Sequence, residues 1–449
     1  MTDELPPGPR LPPTVQTLGF VTRHTGFLER NRRRYGSCFT VRVIGSGPIV
    51  MISDPQEIKE LMTAPPEVLH PGEGAKVIEP VVGPTSVIVL DEDAHLEQRK
   101  LMLPPFHGEA LQRLSGLIDD YCAREVASWP VGSPLALHAR LQRVTLEIIL
   151  RVVFGLEHGE ELRAVRDSLT EMLGTGSRPV EVLWTLPALA WAPPARRRRR
   201  RMELADRLIF ELVERRRERG GEGDDVLSVL LSASHEDGSP LTDQELRDEL
   251  VTTLVAGHET TASQLAWAFS ILARTPALTA RLGEQLEHGE GEPLLKATIQ
   301  ELMRVRPVIP NAEPRVVSRP ARIGQRTYPV GVTLFPSAYL LHHDPAIYPD
   351  PYTFRPERFL QSPPGTYTWL PFGAGRRRCI GASFAMLEMQ AVLREALTRF
   401  SLQAVGDSPE RAARRGITIT PSREATVTLT RRAATGVPRA GAAAAPVAA

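Results

Sequence analysis

Apolar residues recur every three to four positions along Ala110 to Ser128, Leu137 to Phe154, Glu160 to Leu173 and Met202 to Arg219. That spacing predicts four amphipathic helices. A longer pattern runs from Thr242 to Thr275, with Leu246, Leu250, Leu254, Leu265 and Phe269 on its apolar rows. Thr242 and Glu245 have the spacing of a capping box, and Pro276 closes the stretch. At 1.5 Å per residue such a helix is roughly 50 Å long, enough to cross a whole domain. In its middle sits Ala256-Gly-His-Glu-Thr-Thr261, a poor helix sequence in which a Thr hydroxyl competes for the carbonyl four residues back. A local widening or kink is expected there. Ala382 to Phe400 predicts a last amphipathic helix, and two β-branched runs around Gly45-Ser46-Gly47-Pro48 make Ser37 to Ser53 a hairpin. Pro6 to Pro13 is too proline-rich for helix or ladder, and the Ala-rich tail from residue 433 buries too little to fold.

No Pro/Ser-rich linker and no repeat divides the interior. The expected organisation is a proline-rich extension over residues 1–13, one domain over 14–432 and a disordered tail over 433–449. With 54 Lys and Arg against 53 Asp and Glu the net charge is +1, which argues against nucleic acid as a partner. Six arginines from Arg196 to Arg201 read as the solvated start of an exposed helix rather than a binding patch. Three scattered cysteines, Cys38, Cys122 and Cys379, suit a reducing cytoplasm better than a disulfide framework. Residues 1–10 resemble neither a secretory signal nor a membrane anchor, so a soluble cytoplasmic chain is expected.

Candidate chemistry concentrates at Leu370 to Gly381, which reads LPFGAGRRRCIG. Cys379 falls just before the predicted helix from Ala382, where the helix dipole and Arg376, Arg377 and Arg378 favour thiolate over thiol. Gly373, Gly375 and Gly381 let the backbone turn tightly, and Phe372 offers an aromatic shield. Taken alone, a single cysteine is more often an inert core residue. Phe372, Gly375, Arg377, Cys379 and Gly381, however, fill every fixed position of F-x-x-G-x-R-x-C-x-G. The string resembles the heme-binding loop of the cytochrome P450 superfamily.

Three further segments carry the same resemblance. Glu301-Leu-Met-Arg304 is similar to the family's E-x-x-R helix, where the resemblance adds Arg358 as a third member of a buried network supporting the loop. Residues 256–261 resemble the oxygen-binding groove, implying that Gly257 leaves room for a diatomic ligand and that Glu259 and Thr260 are the acid–alcohol pair delivering protons. His95 and Arg99, at i and i+4, lie on one helix face and suit an anionic group; by resemblance that group is a heme propionate, with Arg315 and Arg377 as further partners. Each of these residues alone could be an ordinary surface charge or a satisfied hydroxyl. One departure is Glu259, where many members carry Asp.

The resemblance spans Pro6 to about Leu429. It implies a mainly α triangular prism with a minor β part drawn from residues 37–53, 314–333 and 416–429, holding heme b (iron protoporphyrin IX) with an axial thiolate from Cys379. It also implies a monooxygenase using O2. No dinucleotide fingerprint or cysteine cluster accompanies the loop, so electrons are expected from a separate ferredoxin or flavodoxin with its NAD(P)H reductase. Arg376, Arg378 and Lys100 would make a basic docking face for such a partner. Segments 77–89, 172–189, 254–261, 308–314 and 417–419, pocket-lining by resemblance, are largely apolar and suggest a lipophilic substrate. A sesquiterpene-like terpene of bacterial secondary metabolism is the leading expectation, with a fatty acid or steroid as competitors. A heme-thiolate gas or redox sensor would not need the Glu259–Thr260 pair.

Overall fold

The computed structural model describes residues 5–156, 159–173, 192–221 and 223–432. Its core is built around two helices, Leu137–Phe154 and Asp243–Leu272, packed along one another and joined by Gly108–Ala127 and Ala382–Arg399. Twelve of the eighteen residues of Leu137–Phe154 are buried, so this helix is enclosed on most sides rather than along a single stripe. Gly155, at φ 67°, ends it in the left-handed conformation that costs glycine little.

The long helix begins as its sequence demands. Thr242 Oγ1 accepts from the Glu245 N–H at 3.2 Å and Glu245 Oε2 accepts from the Thr242 N–H at 2.8 Å. The helix then runs to Leu272 without interruption, so the expected widening at residues 256–261 is not seen as a break. What competes there is one hydroxyl: Thr260 Oγ1 donates to the Ala256 carbonyl at 2.6 Å, and the backbone helix persists around it.

The other helices predicted from periodicity are found, one with a displaced start, and Pro55–Thr63, Val226–Ser232 and Pro276–Glu287 are helices that the periodicity did not place. The helix expected from Met202 starts nine residues earlier, at Pro193, and takes the arginine run into its first turns. Paired prolines at the start explain this, since a fixed φ and a missing N–H suit a first turn. Four of the six arginines, Arg196, Arg197, Arg199 and Arg200, are exposed. A helix at His24–Tyr35, with four arginines and little apolar periodicity, was not anticipated.

The β part is small and lies beside the helices. Cys38–Arg42 and Pro48–Ile52 form the expected antiparallel hairpin, with Thr40 opposite Val50. Pro48–Ile52 then pairs in parallel with Thr333–Pro336, which pairs with Arg315–Val317 and through it with Leu69–His70, giving a five-stranded sheet. This sheet holds Arg315 at a fixed height beside the Pro71–Ala75 helix. The tail from residue 433, and residues 174–191, which include all but the first two positions of the expected pocket segment 172–189, lie outside the described residues. Among the described residues no helix is long and apolar enough to cross a membrane.

Candidate active site

Burial along the long helix is interrupted once. Residues 246–254 are buried and residues 261–270 are buried, yet Ala256 between them is exposed and Gly257, Glu259 and Thr260 are partly so. Ala256 and Thr260 share a face at i and i+4, so this window opens one side of a helix whose flanks are enclosed. Gly257 does not open it. A Cβ there would stand 2.8 Å from Ile149 Cδ1, so the glycine serves the close approach of the Leu137–Phe154 helix and not the space for a diatomic ligand expected from the sequence.

Cys379 is likewise exposed, although its loop is wrapped by protein. The thiol sits two residues before Gly381, the N-cap of Ala382–Arg399, and the Cys379 N–H donates to the Phe372 carbonyl at 2.9 Å. Gly373 and Gly375 adopt φ of 65° and 67°, and a Cβ on Gly375 would meet the Met62 carbonyl at 2.4 Å, so only glycine fits that position. Phe372 is half-buried and stacks edge-on against Trp369. The expected thiolate preference is not what the protein alone provides. Although the residue is exposed, the protein packed around it raises the Cys379 thiol by desolvation, outweighing the Gly381 N–H and the Arg99 and Arg378 charges that oppose it. Thiolate character at this position therefore needs a bound cation, which deprotonates a coordinating thiol outright.

The four expected propionate partners converge beside this loop. His95, Arg315 and Arg377 line one cleft together with Leu61, Leu69 and Asp91. Arg99 donates to the Arg378 carbonyl at 2.7 Å and bears electrostatically on both His95 and Cys379. Arg377 pairs with Asp91 at 2.8 Å and donates to the Val87, Ile88 and Leu90 carbonyls. Arg315 is 4% exposed, donates to the Glu313 carbonyl at 2.9 Å and has no carboxylate within ion-pair distance among the described residues. Burial brings its pKa down to about 10. Burial, reinforced by Arg377 and Arg99, brings the His95 imidazole down to about 3. Glu313 Oε2, buried in the same cluster, has no hydrogen-bond partner.

Glu301, Arg304 and Arg358 meet as expected. Arg304 donates to both Glu301 oxygens, at 2.7 and 2.8 Å, and Arg358 Nε donates to Oε1 at 3.0 Å, with Glu301 and Arg304 fully buried. Arg304 also donates to the carbonyl of His342, whose ring Nε2 accepts from the Leu370 N–H at 2.9 Å. The network thus reaches the first residue of the cysteine loop.

Glu259 and Thr260 do not touch one another. Thr260 bonds back to its own helix, whereas Glu259 faces the Leu137–Phe154 helix: Gln142 Nε2 donates to Oε2 at 2.6 Å, Ser263 Oγ to Oε1 at 3.0 Å, and His138 Nε2 and Arg415 Nε lie 3.4 and 3.7 Å from Oε1. Burial raises its pKa, but His138, Arg415 and His258 together outweigh it and carry the carboxylate down to about 2. Sequence reasoning missed His138, Gln142 and Arg415, which lie far from Glu259 along the chain and in no motif. It also missed Glu388, buried and pushed well above the usual carboxylate range by that burial, with Thr261 opposing. Spacing offers one weak signal for it, a charged residue on the buried face of an amphipathic helix.

Among the described residues no group of three or more His, Cys, Asp or Glu side chains could chelate a metal ion. A metal at Cys379 must therefore bring most of its ligands with it, as a metalloporphyrin does. Under-compensated cations beside the loop suit the two carboxylates such a group carries, so the residues present fit a heme. An α-rich domain that offers a lone cysteine before a helix, cations beside it and an open face on a crossing helix suits a heme-thiolate protein. The family model for cytochrome P450 matches residues 6–428, and the chain belongs to the cytochrome P450 family. Its activity is accordingly that of a monooxygenase that uses O2 and electrons from redox partners, with a heme whose iron is bound by a cysteine thiolate.

Relatives agree. The provisionally named cytochrome P450 135B1 of Mycobacterium tuberculosis is 37% identical over 439 residues, covering 94% of this chain and 91% of that protein. Cytochrome P450 138 of the same organism, also provisionally named, is 36% identical and covers 95% and 97%. Among solved structures, retinoic acid-bound cyanobacterial CYP120A1 superposes with a TM-score of 0.83 at 21% identity, covering 95% of this chain and 99% of that one. The heme domain of cytochrome P450DA superposes with a TM-score of 0.82 at 22% identity, covering 96% and 98%. These two establish the helical prism with small sheets.

Proposed function

We propose that Cys379 supplies the thiolate, that His95, Arg99, Arg315 and Arg377 hold the heme carboxylates, and that the enzyme oxidises a neutral lipophilic molecule, a sesquiterpene-like terpene in bacterial secondary metabolism. The observation that carries the heme assignment is the buried Arg315, a cation beside the cysteine loop with no carboxylate at ion-pair distance among the described residues. Burying a guanidinium costs several kcal/mol, on the order of 3–5, unless an anion compensates it. When bound, the heme supplies the transfer of one oxygen atom from O2 into a C–H bond or alkene, and the thiolate's electron donation favours O–O cleavage.

The chain's own residues supply position and protons. Thr260, on the open face of the long helix, holds a hydroxyl where a proton is to be delivered, and Glu259 is the acid that recharges it. Glu301, Arg304 and Arg358 fix the approach to the cysteine loop through His342. Phe372 and Gly375 shape that loop. Electrons come from a separate ferredoxin or flavodoxin with its reductase, docking where Arg376 and Arg378 are exposed. Lys100, the third basic residue expected there, is engaged by Glu236 at 2.8 Å. The three cysteines, all free, suit a cytoplasmic setting.

Of the five expected pocket segments, 77–89, 254–261, 308–314 and 417–419 contain no Lys or Arg and 172–189 contains one, Arg178, so fixed cations are few, which favours a neutral substrate over a carboxylate-anchored fatty acid. Val308 and Ile419 pack together on Trp267, whose indole donates to the Ile419 carbonyl at 2.8 Å. The test is an optical titration of the heme-loaded protein with sesquiterpenes, fatty acids and steroids. A spin-state shift with sesquiterpenes at micromolar concentration supports the reading; a shift only with fatty acids overturns it.

A further inference from the structure

Residues 83–91 have neither helix nor strand to order them, yet side chains hold them from both ends. Gly83, at φ 90°, lets the backbone pass so close to the long helix that a Cβ there would overlap the Asp248 carboxylate. Two adjacent acids then meet the segment in different ways. Asp248 is supplied with donors on both oxygens: Oδ2 accepts from the Thr85 N–H and hydroxyl at 3.0 and 2.7 Å, and Oδ1 from Gln244 and Arg247 at 2.7 and 2.9 Å. Glu249, fully buried, accepts from the Val87 N–H at 2.6 Å and has no cation at ion-pair distance among the described residues. The other groups that bear on it are the Gln98 amide, which favours its charged form, and Asp248 and Glu245 on its own helix, which oppose it. Burial outweighs the donors and raises its pKa to about 8, so Glu249 is a neutral acid near pH 7.

Gln98 is buried on the helix Glu92–Met102, which also carries His95 and Arg99. Glu249 Oε2 and Gln98 Nε2 each lack a hydrogen bond of good geometry. A neutral acid is a donor as well as an acceptor, and with the Gln98 amide turned by 180° its oxygen accepts the Glu249 O–H. At their far end the same residues meet the cysteine loop. Arg377 donates to the Val87 and Ile88 carbonyls at 3.1 and 3.3 Å and pairs with Asp91 at 2.8 Å, and Asp91 in turn accepts from the Gly72 and Glu73 N–H groups.

We propose that Glu249 is a positioning residue for heme retention: by bridging the Val87 N–H and the Gln98 amide it keeps residues 85–91 and the Glu92–Met102 helix where Arg377, His95 and Arg99 hold the heme carboxylates. The proposal rests on the reading of those three side chains as carboxylate partners. The bridge needs its proton. Without it the donor to Gln98 is lost and a charge is buried beside Asp248 and Glu245. The bridge is therefore intact well below pH 8 and is lost as pH rises through about 8.

The test is transfer of heme from the loaded full chain to excess apomyoglobin, followed by absorbance at pH 6.5 and pH 9, with heme and with its dimethyl ester, which lacks the carboxylates. Glu249→Gln keeps an acceptor for Val87 and a donor for Gln98 but cannot titrate. Heme should leave the wild type and Glu249→Gln at equal rates at pH 6.5, and should leave the wild type about tenfold faster than Glu249→Gln at pH 9, one unit above the pKa. Glu249→Leu, which lacks both contacts, should lose heme several-fold faster than the wild type at pH 6.5; if it does not fold, the Gln comparison decides alone. With the dimethyl ester the wild type and Glu249→Gln should match at both pH values, because the grip that Glu249 positions has nothing to hold. An equal pH effect with heme and ester would make Glu249 a general stabiliser of the fold and overturn the proposal. Heme leaving the wild type as fast as the ester at pH 6.5 would defeat the carboxylate reading itself. Heme held more firmly than the ester, with wild type and Glu249→Gln alike at pH 9, would defeat the role of Glu249 and leave that reading standing.

Discussion

At the scale of single residues the site is a set of side chains whose surroundings contradict their ordinary chemistry. Cys379 is an exposed thiol whose pKa the protein packed around it raises, and a bound cation would deprotonate it, so replacing it should abolish thiolate ligation and not merely weaken it. Cys379→Ser is expected to lose the red-shifted absorption of the carbon monoxide complex of the reduced protein and to lose turnover; retention of both would remove Cys379 from the centre. Thr260 is a different case, because its hydroxyl is bonded only to the Ala256 carbonyl and its loss leaves the helix intact. Thr260→Ala should keep heme and fold while diverting most reducing equivalents to hydrogen peroxide, and unchanged coupling would defeat its part in proton delivery. The cysteine, the threonine and the E-x-x-R pair were legible in the sequence because each belongs to a short string of fixed spacing. His138 and Arg415 were not, because their meeting with Glu259 depends on how a helix and a strand 277 positions apart along the chain are folded onto a third element. The role expected of Gly257 failed for the same reason, since which neighbour faces a glycine is decided by packing and not by its own helix.

Between single residues and the whole molecule, elements are tied together by buried polar groups. Residues 85–87 are pinned to the long helix by three of its side chains: Asp248 Oδ2 accepts from the Thr85 N–H at 3.0 Å, Glu249 Oε1 accepts from the Val87 N–H at 2.6 Å, and the Ser86 and Thr252 hydroxyls lie 2.6 Å apart. Arg377 grips the carbonyls that follow, so this segment links the long helix to the cysteine loop. Glu249 is buried, with burial raising its pKa to about 8 against 4.5 for a free carboxyl, and its second oxygen is unbonded. The native state thus holds a proton that the unfolded chain releases above pH 4.5. Stability contributed by that proton is fully present below 4.5 and is lost as pH rises toward 8. Glu249→Gln keeps the acceptor for Val87 and removes the titration. It should raise the melting temperature at pH 8 relative to the wild type and leave it nearly unchanged at pH 5; equal shifts at both pH values would show that Glu249 is ionised in the fold. Helices with strong apolar periodicity were legible to within a few residues, as Leu137–Phe154 shows. The two-residue strand Leu69–His70 and the helix His24–Tyr35 were not, because the strand is too short to show a period and two of the helix's three buried positions, His24, Leu28 and Asn31, are polar.

For the whole molecule, charge balance hides a local asymmetry. A net charge of +1 over 449 residues gives no long-range field that would draw in a partner by itself. At the cysteine loop, however, Arg376 and Arg378 are both exposed, and neither has a carboxylate within ion-pair distance among the described residues. Arg99 beneath them is turned inward to the Arg378 carbonyl, which keeps the backbone of the loop in place while the two outer guanidinium groups stay free to meet a partner. Even an exposed ion pair contributes only roughly 0–1 kcal/mol to fold stability, and these exposed charges are not paired, so reversing their charge tests association without endangering the fold. An acidic ferredoxin approaching this face would gain encounter rate from both charges, and the gain would be screened over about 10 Å at 0.1 M salt. Arg376→Glu with Arg378→Glu is therefore expected to raise the KM for an acidic ferredoxin several-fold at low salt and to leave the melting temperature and the heme spectrum unaltered. The difference from the wild type should shrink as salt rises toward 0.5 M, because only the steering component is lost. Stopped-flow reduction of the heme-loaded protein over a salt series measures this directly. Equal reduction rates for variant and wild type at low salt would place the electron entry on another face, and a loss that persists at high salt would mean that the arginines shape the loop instead of attracting the partner.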